Sequence, residues 1–233
     1  MKQSLVLLHG LFGGLSNWDG VIDHFGNEYN IHVPPLPIYD EHDQGILDYL
    51  VASLHHYIVS NNLTDVILVG NSLGGHVAVL YAHRYAANVR AMILTGSSGL
   101  YENNTLGSFP RRHSRPYIQE RVEYTFYEAK TATSQLVDEV FAIVCDNRKC
   151  FRIVKTAKTA QREYVTKELP ELTMPVHLIW GTDDRITPPS VAEEFKQMLP
   201  NATLVYLSEC GHAPMMEKPL EFNTLMEEFL NRL

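Results

Sequence analysis

Positive charge is in short supply in this sequence. Its 233 residues carry 19 Lys and Arg against 27 Asp and Glu, a formal net charge of −8. A partner built of phosphates needs a basic face to displace its counterions, so nucleic acid is excluded as the expected partner. Cysteine is scarcer still. Cys145, Cys150 and Cys210 are odd in number and spaced unlike a metal knuckle, which excludes a disulfide scaffold and fits a reducing, cytoplasmic setting. No apolar run approaches the ~20 residues of a membrane span. Residues 1–8 contain one lysine and an apolar stretch too short for a signal-peptide core. The expectation is a cytoplasmic protein without membrane association. Repeats and low-complexity stretches are missing as well. What remains, at 45% hydrophobic and 20% charged residues, is an ordinary globular composition in a chain long enough for one α/β domain.

Six short apolar runs read as buried parallel strands: SLVLL (4–8), NIHV (30–33), DVILV (65–69), RAMILT (90–95), VHLIW (176–180) and ATLVYL (202–207). Amphipathic helices fall between most of them. In DQGILDYLVASLHHYIVSNN, Ile46, Leu50, Leu54 and Ile58 recur four apart, with Leu47 and Val51 alongside. PPSVAEEFKQMLP opens on helix-starting prolines and closes at Pro200, and PLEFNTLMEEFLNRL turns Phe222, Leu225, Met226 and Phe229 inward. This alternation implies an α/β fold with a mainly parallel sheet of about six strands, flanked by helices. Residues 101–170 break it. They contain three helical stretches, at 115–130, 134–146 and 150–165, and no strand. They also hold 12 of the 19 Lys and Arg but 9 of the 27 Asp and Glu, a net of +3 that leaves −11 elsewhere. The expected organisation is one domain, with a core of 1–100 and 171–233 and a helical insertion at 101–170.

The stretch VILVGNSLGG (66–75) sets a serine on the turn between a buried strand and a helix. Gly70, Gly74 and Gly75 give that turn room, and Gly-Asn-Ser-Leu-Gly has the form of a nucleophile elbow, whose strain pushes the hydroxyl out of the sheet. A serine is a poor nucleophile without a base, and the base needs a third group to orient it. GTDDRITPP follows the fifth strand and SECGHAPMMEKP the sixth, placing carboxylates and His212 at neighbouring strand ends. A tetrahedral intermediate also needs fixed N–H donors. The N–H of Leu73, directly after the serine and at the start of a helix, is one.

HGLFGG (9–14), GNSLGG (70–75), GTDDRITP (181–188) and GHAPMMEKP (211–219), in this order and each just past an expected strand, resemble the α/β-hydrolase superfamily over essentially the whole chain. The resemblance implies Ser72 as nucleophile, His212 as general base and then acid, and an aspartate holding the imidazole. The pattern G-x-x-D-x-x-x-P fits Gly181, Asp184 and Pro188, which selects Asp184 with Asp183 as the alternative. It also implies Leu11 as the second N–H donor, with Phe12 adjacent, and His9 as a brace for that loop. His76 is read as a packing or surface residue, and His55, His56 and His83 as structural or solvated. Two departures are expected: the family's leading antiparallel strands are absent, leaving NIHV near an edge, and PPLPIYDEHD replaces the usual turn after the second strand.

A serine at the elbow separates the chain from dehalogenases and epoxide hydrolases of this fold, which attack with aspartate. GNSLGG is similar to carbon–carbon hydrolases, but those carry a longer oxyanion loop and a tryptophan where this chain has Ala213. HGLFG resembles small bacterial carboxylesterases, and carboxylic ester hydrolysis is the expected activity. C–C cleavage of ring-fission products, thioester or lactone cleavage, and a non-catalytic receptor role are the alternatives. The insertion is expected to form a lid, with Phe12, Tyr124, Phe141 and Met215 contacting substrate. Tyr127, Phe126 and Phe151 are further apolar candidates. Arg111, Arg112, Arg115, Arg148, Lys149 and Arg152 either recognise an anionic group on the substrate or form a solvated face. No metal or organic cofactor is implied. The partner is a small-molecule ester, and the chain is expected to be a monomer or homodimer.

Overall fold

A computed structural model describes residues 2–14, 17–103 and 109–233. Six strands form one parallel sheet: β1 Ser4–Leu8, β2 Asn30–His32, β3 Val66–Asn71, β4 Val89–Thr95, β5 Val176–Gly181 and β6 Ala202–Leu207, in the order β2-β1-β3-β4-β5-β6. All residues of β1, β3 and β5 are buried, which is why these segments read as unbroken apolar runs. β2 is only partly buried and forms one edge, the position expected for NIHV. β3 runs two residues beyond the apolar stretch, pairing Gly70 with Leu94 and Asn71 with Thr95. That extension delivers the chain directly to Ser72.

Helices α1 (Asp19–Phe25), α2 (Ile46–Ser60), α3 (Leu73–Arg84), α7 (Pro189–Met198) and α9 (Pro219–Leu230) flank the sheet, with a single turn α8 (Pro214–Glu217) before the last. α2 packs on α3, and α1 packs on α9. α2 buries Ile46, Leu47, Leu50, Val51, Leu54 and Ile58, the set picked out by its spacing. α1 and α8 were not evident from periodicity, because seven and four residues are too few to display a face.

Between β4 and β5 lie α4 (Arg115–Glu123), α5 (Ser134–Cys145) and α6 (Asn147–Ala160). Residues 104–108, near the start of the expected insertion, lie outside the described residues. Each helix begins at a side-chain cap: Ser114 for Tyr117 N, Thr133 for Leu136 N and Asp146 for Lys149 N. Such caps contribute about 1 kcal/mol each. Asp146 ends α5 and starts α6, so α6 begins three residues before the expected Cys150 and stops at Ala160 rather than Val165. α4 stops at Glu123 instead of running to Lys130, and a 3-10 turn covers Ala129–Thr131. The three cysteines are unpaired.

Candidate active site

The chain leaves β1 toward one edge of the sheet and leaves β3 toward the other, so a crevice opens where these neighbouring strands end. The residues after both strands meet there. After β1, His9 Nδ1 donates to Gly10 O at 2.7 Å while its Nε2 accepts from Leu36 N at 3.1 Å. The ring therefore braces the loop that carries Leu11, and burial holds its pKa below the ordinary imidazole value. After β3, Ser72 has φ 54° and ψ −121°, a conformation that costs a non-glycine residue about 1–3 kcal/mol. Its N–H donates to Thr95 O at 3.2 Å, and its carbonyl accepts from Gly75 N, His76 N and Ser98 N at 3.0, 3.2 and 3.0 Å. Gly74 allows the first turn of α3 to sit against the end of β1: a Cβ there would run into the carbonyls of Leu8 and His9. Leu73 heads α3, where the leading N–H groups have no partner within the helix.

Leu11, Ser72 and Leu73 line one cavity, closed by Ser98, Glu102, Ala157 and Ala160. Its free volume of about 20 Å³ is room for roughly one water molecule. The two alanines come from α6, the helix that covers the crevice.

His212 and Asp184 are buried together. His212 Nδ1 lies 2.8 Å from Asp184 Oδ2. Asp184 also accepts from Ile186 N at 2.8 Å and Thr187 N at 2.9 Å through Oδ1, and from Thr187 Oγ1 at 2.9 Å through Oδ2. Its neighbour Asp183 is partly exposed: its carboxyl accepts locally, from Thr182 Oγ1, and its N–H donates to Cys210 O at 2.9 Å. Burial opposes charge on the His212 ring, but Asp184, with Glu102 and Glu217 adding to it, more than offsets this and raises the pKa. Asn71, the residue before Ser72, donates to both Thr95 O at 3.0 Å and His212 O at 2.9 Å. The histidine loop is thus tied to the serine turn. Gly96, at φ 50°, has His212 directly over it, and a Cβ would meet both the ring and the carbonyl.

Glu217, part of the quoted GHAPMMEKP motif but given no role there, accepts from the two amides that flank His212, Gly211 N at 3.0 Å and Ala213 N at 3.2 Å. It also accepts from Tyr127 N at 2.7 Å, and His212 N donates to Thr125 O at 2.9 Å, so the segment after α4 is locked to the histidine loop. Burial raises the Glu217 pKa, with these backbone donors opposing.

The four substrate-contact candidates are not among the residues that line the Ser72 cavity. Phe12 packs edge-on against Phe109, Tyr124 faces Arg185, Phe141 packs half-buried on the core and Met215 is buried. Phe151 is 65% exposed. The basic residues of the insertion are engaged away from the cavity: Arg111 over Tyr117, Arg112 on Asn147, Arg115 with Asp138, Arg148 with Glu41 and Lys149 over Tyr39. Arg152 is likewise not among the cavity residues. His76 is fully buried, and burial pushes its pKa down to about 4. Glu102 carried no sequence signal. It stands in an unpatterned loop, and only the fold brings it to the serine. Among the described residues, no group of three or more His, Cys, Asp or Glu is placed to hold a metal ion, and no helix is long and apolar enough to cross a membrane.

The sequence pattern of the alpha/beta hydrolase family matches residues 5–225, and the chain belongs to that family. It is 28% identical to a 2-hydroxy-6-oxononadienedioate/2-hydroxy-6-oxononatrienedioate hydrolase of Paraburkholderia phymatum, over 99% of this chain and 88% of the relative. It is 27% identical to a pimeloyl-[acyl-carrier protein] methyl ester esterase of Nitrosomonas europaea, over 94% of this chain and 92% of the relative. Among solved structures, an alpha/beta hydrolase enzyme from the sediment metagenome of the Mar Chica lagoon, Morocco, is 36% identical with TM-score 0.79, covering 100% of this chain and 92% of its own. A meta-cleavage product hydrolase of Pseudomonas fluorescens shares the fold at TM-score 0.87 and 20% identity, covering 99% of this chain and 91% of its own.

Proposed function

We propose that this hydrolase cleaves carboxylic esters of small or medium size through an acyl-enzyme, with Ser72, His212 and Asp184 as its catalytic triad. Ser72 Oγ attacks the ester carbonyl and passes its proton to His212. The carbonyl oxygen takes the negative charge and is held by the N–H groups of Leu11 and Leu73. Collapse breaks the acyl–oxygen bond, and His212 returns the proton to the departing alcohol. Water then repeats both steps on the acyl-serine and releases the acid. Asp184 keeps the imidazole in one tautomer and stabilises its transient charge. Helices α4–α6 act as a lid within a single domain, and α6 must shift to admit substrate to so small a cavity.

The observation that carries this reading is the buried 2.8 Å His212–Asp184 pair, tethered through Asn71 to a strained serine. Carbon–carbon cleavage is the second reading, because the Paraburkholderia relative hydrolyses an oxo-dienedioate. Such a dicarboxylate would meet Glu102 at the serine, and no Lys or Arg is among the cavity residues. That favours neutral esters. The test is hydrolysis of a chain-length series of p-nitrophenyl esters by wild type and Ser72→Ala, with fluorophosphonate labelling of both. Turnover that falls about ten-thousand-fold in the variant supports the reading. Efficient labelling with negligible ester turnover overturns it and turns attention to ring-fission diketones and thioesters.

A further inference from the structure

Glu102 is not required by the chemistry just described, yet its carboxyl forms part of the wall around Ser72. Its Oε1 is buried and has no hydrogen-bond partner among the described residues. Ser98 Oγ and Gln161 Nε2 face the same carboxyl and favour its charged form, but they too are buried without a closed hydrogen bond. A buried carboxyl oxygen left unpaired costs about 1–3 kcal/mol or more. The backbone fixes the position nonetheless: Asn103 N donates to Ile186 O at 2.8 Å, so the loop of Glu102 is fastened to the turn that carries Asp184.

We propose that Glu102 determines substrate class: its carboxyl accepts a hydrogen bond from a hydroxyl or ammonium group of the substrate next to the scissile ester, and it turns away substrates with a carboxylate at that place. The proposal rests on the ester reading and names its substrate class. Three features support it. Glu102 lines the cavity that must hold the reacting carbonyl. The lid helix contributes only Ala157 and Ala160 there, which offer no side-chain hydrogen bond. Finally, burial, with Asp184 adding to it against His212, Ser98 and Gln161, raises Glu102 to about 7, so a further donor from a bound molecule would stabilise its charged form.

The experiment compares kcat/KM for propyl, 2-hydroxyethyl, 2-(dimethylamino)ethyl and carboxymethyl butyrate, followed by acid release, in wild type, Glu102→Gln and Glu102→Leu. An acyl-side pair, p-nitrophenyl butyrate and p-nitrophenyl 3-hydroxybutyrate, reads the other half of the site. Ratios within each protein are the readout, so differences in folded fraction cancel. Wild type is expected to favour a donor-bearing ester over its apolar match by roughly tenfold or more, and to disfavour the carboxymethyl ester by a similar factor. The hydroxyl and dimethylammonium arms tell which donor is meant. Glu102→Leu brings the donor ratios near one, and Glu102→Gln relieves the rejection of the anion. Ratios unchanged in both variants overturn the proposal. If wild type cleaves none of these esters, the ester reading fails by itself. Protection of Ser72 from a fluorophosphonate then decides the inference: 2-hydroxyethyl butyrate must protect at lower concentration than propyl butyrate in wild type, and equally in Glu102→Leu. Absence of labelling overturns both.

Discussion

Asp184 is buried and Glu102 half-buried with one buried oxygen, on two loops near Ser72, and they are treated in opposite ways. Asp184 sits after β5 with two amide donors, a threonine hydroxyl and the His212 ring around its two oxygens. Glu102 sits after β4 with one buried oxygen that closes no hydrogen bond among the described residues, although Ser98 and Gln161 face the carboxyl. A carboxylate whose lone pairs are all taken can only orient what it touches. One left open is held ready for a group that is not part of the chain. Glu217 is a third case, spent entirely on the backbone around His212.

The sharpest way to break the comparison is to remove the charge from the satisfied member. Asp184→Asn is expected to lower kcat about a thousand- to ten-thousand-fold in the ester assay, because the amide no longer favours the required imidazole tautomer. Asp183→Asn, beside it in sequence but with its carboxyl accepting from Thr182, is expected to stay within about twofold. Equal losses would return the role to the pair rather than to Asp184. Glu217→Gln sets an NH₂ among three amide donors. It should lower thermal stability by about 2 kcal/mol and kcat by roughly tenfold, with a smaller change in KM, since the His212 loop loosens while the cavity stays. A loss of stability with kcat untouched would confine Glu217 to folding.

Smaller effects come from the open member and concern pH. The groups facing His212 are Asp184, Glu102 and Glu217, and all three raise its pKa. The acid limb of kcat/KM, which reports deprotonation of His212, should therefore lie above the ordinary imidazole value of 6.5 in wild type. Glu102→Gln removes one anion and should move that limb to lower pH, by a fraction of a unit. A limb that stays put would mean that Glu102 is protonated throughout. The stability sign follows separately. Glu102 keeps its proton to about 7 in the folded chain against an ordinary 4.5, so folded stability is lost as pH rises between these values. Glu102→Gln should raise Tm relative to wild type at about pH 8, by roughly 2–4 °C per kcal/mol recovered, and change it little at about pH 5. Melting curves in two buffers check it.

Much of this was legible beforehand, for reasons visible in single residues. Buried parallel strands must be apolar on both faces, so Val66–Val69 and Val176–Trp180 announced themselves as strands. Long helices displayed their inner faces, as α2 did through Ile46, Leu50, Leu54 and Ile58. The caps Thr133 and Asp146 went unread as helix starts, and periodicity alone placed α6 three residues late.

The sequence by itself determined the order of the strands along the chain, the turn on which Ser72 stands and the family to which the chain belongs. Each of these depends on residues adjacent in sequence: an apolar run, a glycine where the backbone must approach closely, an aspartate three residues after Gly181. Only the tertiary structure decided which side chains close the cavity. Aromatics of the insertion were the chemically attractive candidates, yet Ala157 and Ala160 from α6 reach the serine while Phe151, on the same helix, faces solvent. Which face an insertion helix turns inward depends on how it packs across the sheet ends, and no local pattern encodes that rotation. Glu102 belongs to the same class. A loop glutamate is ordinary in sequence and acquires its meaning only when the fold sets it in the wall of the cavity at Ser72.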